Sequence, residues 1–192
     1  MDCFTYELIA DGTMAENRKV NIRSADMSPE MQDSAAQIAV LAVSKFEVEK
    51  DMAAFVKKEF DRRYEATWHC IVGKHFGSYV THEKDAFIYL YATESKISTR
   101  KITMGEDKLV IKYVDMPIDM QKNVFEITQK ALERCALEKD IAGFIKKAFD
   151  DKYGKNWQCI TGKHFGSFVT HEKDRFIYFY IGNIAFLLFK TA

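Results

Sequence analysis

A long stretch of this chain occurs twice, and that repetition limits what it can fold into more than any other feature. Trp68 to Tyr91 returns as Trp157 to Tyr180 with 19 of 24 positions identical, at a constant offset of 89 residues. The same offset carries Glu49-Lys50-Asp51 onto Glu138-Lys139-Asp140, and Ile22 with Asp26-Met27 onto Ile111 with Asp115-Met116. A period of that length is a whole small domain rather than a solenoid unit. The chain therefore reads as an extension over 1–14 with no counterpart, a first domain over 15–103 and a second over 104–192. Units of this size hold modest net stability, which pairing would relieve.

Charge and cysteine usage narrow the function classes. The 28 basic and 28 acidic residues balance, so no electrostatic footprint points to nucleic acid or an anionic membrane. No apolar run has the length of a signal peptide or a membrane span, and a soluble intracellular protein is expected. Cys3, Cys70, Cys135 and Cys159 include no CxxC and read as buried thiols rather than a disulfide framework.

Periodicity places the elements. A β-prone run at 19–23 recurs at 108–113. Ser28-Pro29-Glu30 is a helix start, and Met31, Ala35, Ile38 and Ala42 then recur at helical spacing, echoed by Met120, Val124, Ile127 and Ala131. A second stripe, Met52, Phe55, Val56 and Phe60, follows acids Glu49 and Asp51, with Ile141, Phe144, Ile145 and Phe149 as its copy. Strands are expected at 68–73, 76–82 and 86–91, the last with Phe87, Tyr89 and Tyr91 on one face. Each unit is thus β-α-α-β-β-β, an α+β domain with helices packed on an antiparallel sheet. Copy two adds an apolar strand over 184–189, where copy one has only Lys96-Ile-Ser-Thr-Arg100. Copy one therefore exposes that strand, turns it into a linker, or borrows apolar cover from elsewhere.

Catalytic and metal chemistry find no constellation. His75 and His82 are seven apart, as are His164 and His171, so each pair falls on opposite faces of a strand. His69-Cys70 fails as a catalytic pair for the same reason, and Gly73-Lys74 lacks the rest of a phosphate loop. A non-enzyme without cofactor or metal is expected. The run Phe76-Gly-Ser-Tyr-Val-Thr-His82 reads either as a central strand or as an edge left open to an incoming extended peptide.

Trp68-His-Cys-Ile-Val-Gly73, Phe76-Gly-Ser-Tyr-Val-Thr-His-Glu83 and Phe87-Ile-Tyr-Leu-Tyr91 closely resemble the eight-kilodalton cytoplasmic dynein light chains. Glu49-Lys50-Asp51, Lys57-Lys58-Glu59-Phe60-Asp61 and the run from Ile184 to Lys190 fit them too, and Met104 falls where a separate light chain would begin. The resemblance implies a dimeric, non-enzymatic hub of the cytoplasm and the microtubule-associated dynein complex. It binds dynein intermediate chain and other partners carrying short motifs, often with a Thr-Gln-Thr core. In that family one strand crosses to the partner subunit, and peptides add between it and the second helix there.

Carried over, the first set of groove residues is His75, Phe76, Gly77, Ser78, Tyr79, Val80, Thr81 and His82, with Phe87, Tyr89, Tyr91, Glu49 and Lys50. The second is His164, Phe165, Gly166, Ser167, Phe168, Val169, Thr170 and His171, with Phe176, Tyr178, Tyr180, Glu138 and Lys139. Two positions depart from the pattern: His75 and His164 stand where Asn is common, and Phe168 lacks the hydroxyl of Tyr79. His69 matches a family histidine at the dimer seam, where copy two has Gln158. One chain as its own pseudo-dimer and two chains exchanging strands both fit. So does a structural pseudo-copy that binds no peptide within a larger assembly.

Overall fold

The computed structural model describes residues 20–65, 67–92 and 109–192, together with the backbone of 3–9. The strands are β1 (Cys3–Ile9), β2 (Asn21–Asp26), β3 (Thr67–Tyr79), β4 (Phe87–Tyr91), β5 (Leu109–Asp115), β6 (Trp157–Phe168), β7 (Phe176–Ile181) and β8 (Ile184–Lys190). The helices are α1 (Pro29–Lys45), α2 (Glu49–Tyr64), α3 (Ile118–Arg134) and α4 (Glu138–Tyr153).

Contacts divide the chain into two units that interleave the sequence halves. Unit 1 holds residues 1–74, 82–97 and 165–170, and unit 2 holds 75–81, 98–164 and 171–192. Each unit thus contains a short strand segment drawn from the opposite half of the repeat.

In unit 1 the sheet order is β2-β4-β1-β3. Ser28 starts α1, its Oγ accepting the Met31 N–H at 3.3 Å with Pro29 following. The apolar stripe of α1 then buries Ala35, Ile38, Ala39 and Ala42, and that of α2 buries Met52, Ala53, Val56 and Phe60. They close on Trp68, Cys70 and Val72 of β3 and Ile88 and Leu90 of β4, with Phe168 packed alongside. Phe60 meets Trp68 edge-on at 4.8 Å between ring centroids, and removing such a buried ring costs about 3–5 kcal/mol.

Unit 2 repeats the plan in the order β6-β8-β7-β5. Ile141, Ile145 and Phe149 of α4 and Val124 of α3 cover Trp157, Phe179, Phe186 and Leu188. Even an irregularity recurs: the ladder shifts between Ile22 and Ser24 in β2, and between Ile111 and Tyr113 in β5.

Two features differ from the sequence reading. The strands expected at 68–73 and 76–82 are one strand, β3, because Lys74-His75 supplies no turn; its end at Tyr79 leaves 80–82 outside it. The extension over 1–14 contributes β1, which runs parallel between β3 and β4. That is the place β8 takes between β6 and β7, antiparallel to both. Copy one therefore completes its sheet from its front end; the divergent Lys96–Arg100 lies outside the described residues.

Candidate peptide-binding grooves

Each unit brings an exchanged strand segment against the first turn of a helix. In unit 2, Gly77 faces the start of α4 so closely that a Cβ there would lie 2.2 Å from Lys139 N and 2.6 Å from Glu138 C. In unit 1, Gly166 meets the start of α2 in the same way, 2.2 Å from Lys50 N and 2.6 Å from Glu49 C. Only glycine permits that approach of two backbones, and any side chain would force the strand off the helix. Gly77 and Gly166 are therefore packing requirements of the exchange.

The helix starts carry the polar chemistry. The N-cap residues are Val48 and Leu137, neither of which provides a side-chain cap. The Asp51 N–H donates to the Val48 carbonyl at 3.0 Å, and Asp140 to Leu137 likewise. The amides before them, of Glu49-Lys50 and Glu138-Lys139, have no carbonyl within their helix to bond. A side-chain carbonyl from a ligand suits them, and the positive end of the helix dipole favours it. In unit 2, Thr161 Oγ1 donates to the Glu138 carbonyl at 2.8 Å, pinning that first turn to β6. Val72 stands at the matching place in copy one.

Further along, the ring of Tyr79 lies over α4, where a Cβ on Gly143 would come within 2.9 Å of it, and Lys147 sits over the ring at 5.4 Å. Phe168 occupies the matching position on α2, under Lys58 at 5.6 Å. Beyond the strands, the Thr81 N–H donates to Gln158 Oε1 at 2.8 Å in unit 2, and the Thr170 N–H donates to His69 Nδ1 at 3.1 Å in unit 1. His69 accepts and so is neutral. Burial, then the nearby Lys57 charge, pushes its pKa down to about 3.

The remaining sequence-derived residues are distributed around this frame. Phe76, Gly77, Ser78 and Val80 are half-buried, while His75, Tyr79 and Thr81 are exposed. Phe165 to Val169 are half-buried, and His164 and Thr170 exposed. His75 and His164 both fall in unit 2, their rings 6.2 Å apart. His82 stacks on Phe87 at 4.7 Å, and His171 lies against Phe176 at 4.6 Å. Tyr89 and Tyr91 share a hydroxyl–hydroxyl bond of 3.0 Å, Tyr178 and Tyr180 one of 2.8 Å. These tyrosine ladders are not beside the groove strand: β1 separates β4 from β3, and β8 separates β7 from β6. Val48, Leu137, Thr161 and Gly143 were not singled out from sequence; a non-capping residue before an acid-led helix is the signal for the first two.

Two α+β units, each built on a strand borrowed from the opposite half of the sequence, make this a tandem of strand-exchanging domains. The family model for dynein light chain type 1 matches residues 19–99 and again 108–191, and the chain belongs to the dynein light chain family, carrying two of its domains. Two solved structures of the dynein light chain-like domain of a Fasciola hepatica calcium-binding protein, FhCaBP2, are similar to it. They are 22% and 26% identical, cover 51% and 47% of this chain and 100% and 97% of theirs, and have TM-scores of 0.38 and 0.36. Among the described residues, no helix is long and apolar enough to cross a membrane.

Proposed function

We propose that this dynein light chain is a non-catalytic adaptor with two peptide grooves. It captures short extended segments of the Thr-Gln-Thr type by strand addition and so dimerises or links the proteins carrying them. Dynein intermediate chain is the expected partner, in microtubule-based transport in the cytoplasm. One observation carries this reading: both exchanged strands press a glycine against a helix start that has no side-chain cap. A glutamine carbonyl entering beside the strand meets amides that the helix cannot satisfy. Burial holds the Cys159 thiol un-ionised, so that cysteine is no nucleophile.

Calorimetry with a Thr-Gln-Thr peptide tests the proposal. Saturable binding of two peptides per chain is expected, with affinity lost when the glutamine becomes alanine. A chain that takes up no heat with the peptide is instead a fixed subunit of a larger assembly.

A further inference from the structure

The channel between β3 and β4 is filled differently from its counterpart in unit 2. There, β8 is tied to β7 by a turn at Gly182-Asn183, and Ile184 to Phe189 are all at or below 2% exposure. That strand leaves only if the unit unfolds. In unit 1 the occupant is β1, whose ladders to both neighbours are parallel, a pairing slightly weaker per residue than the antiparallel one. Ile9 and Asn21 both pair with Tyr91, on opposite sides of β4, so about 10 Å separates them. The chain joining them could cover about 40 Å if extended.

The register shows how well β1 fits. Phe4, Tyr6 and Leu8 stand opposite Trp68, Cys70 and Val72, which belong to the core. Thr5 and Glu7 stand opposite His69 and Ile71, which are 1% and 0% exposed. At the equivalent places, opposite Gln158 and Ile160, β8 has Phe189 and Leu187. The resident segment therefore carries a hydroxyl and a carboxylate where the fixed strand has two large apolar side chains. By residue type, the alternate positions 4, 6 and 8 are aromatic or apolar as in a buried strand, and positions 5 and 7 are polar.

We propose that the channel between β3 and β4 is a strand-binding site separate from the two grooves, with residues 3–9 as a tethered, replaceable ligand. It takes in their place an extended peptide with large apolar residues at alternate positions, and more tightly one that is also apolar at the place of Glu7. A tethered ligand acts at roughly millimolar effective concentration. An untethered peptide therefore competes poorly until the tether is cut.

The test uses the full chain carrying a specific protease site in place of residues 12–17, folded before cleavage. The probes are a fluorescent peptide of residues 1–11 and its E7L form. After cleavage the probe should exchange in with 1:1 stoichiometry, at least about tenfold more tightly than before, and the E7L probe should bind more tightly still. In the full chain, T67C should form a disulfide with Cys3, its register partner, since adjacent strands lie in the required Cα range. That cross-link should abolish exchange. Equal binding before and after cleavage overturns the proposal. So does a released fragment that stays bound and never exchanges, or a T67C chain that forms no cross-link to Cys3. Thr-Gln-Thr peptide titration before and after cleavage reads the grooves separately, so failure here leaves them standing.

Discussion

Thr170 and Thr81 donate backbone N–H groups to the two versions of one repeat position, His69 and Gln158. Only the first of these acceptors titrates. The folded pKa of His69 lies below its unfolded value, so neutral His69 stabilises the fold fully above about pH 6.5, and that contribution falls away as pH drops towards 3. At pH 5 the loss amounts to roughly 2 kcal/mol. H69Q should therefore flatten the fall in urea midpoint between pH 7 and pH 5, because the amide accepts the same N–H without binding a proton. An H69Q protein that loses stability as steeply as the parent would show that another group sets the acid response. Gln158 needs no such change, and the seam at Thr81 is already indifferent to acid.

At the scale of elements, the helix starts and the buried ion pair of α4 make separate predictions. Val48 and Leu137 are 54% and 45% exposed with extended backbone, so V48D and L137D introduce caps at no cost to the core. Each should stabilise by about 1 kcal/mol while weakening Thr-Gln-Thr binding about tenfold at its own groove, since the new carboxylate takes the ligand's amides. Stability rising with affinity unchanged would remove the helix start from the proposed site. Within α4, Lys146 is 4% exposed and pairs with Asp150 at 2.6 Å, while Asp150 Oδ1 accepts the Trp157 N–H at 3.0 Å. D150A should cost about 3–5 kcal/mol by leaving a buried cation alone, and K146M added to it should recover much of that loss. Denaturant midpoints equal for single and double variants would show the pair to be immaterial.

Helices, core stripes and the repeat were legible in the sequence because their signals are local: Ser28-Pro29, the stripe from Met52 to Phe60, and the alternation from Phe87 to Tyr91. The α+β class followed from them. The role of residues 3–9 was not, since it depends on a pairing with β3 and β4 more than sixty residues away. The strain-free closeness of Gly77 to Lys139 was equally hidden, because it joins parts of the two halves of the repeat. A Cβ at 2.2 Å from a backbone nitrogen shows that substitution of Gly77 would disturb the exchange itself.

At the largest scale, each unit sets a ring from one half of the sequence against a helix of the other half. Tyr79 from the first half lies over Gly143 of the second, whereas Phe168 serves an α2 that has Ala54 at the matching position. Residues 1–103 and 104–192, produced separately and refolded together, should yield mixed pairs several-fold above the statistical share by native mass spectrometry, and G143A should erode that excess. Random association would mean that the larger ring and the missing methyl are unrelated. The sheets add a last consequence. By the repeat, the walls β3 and β4 are the counterparts of β6 and β7, yet one channel admits its strand head first and the other tail first. Hydrogen-bonding walls that tolerate both polarities place no demand on the direction of travel of whatever chain lies between them.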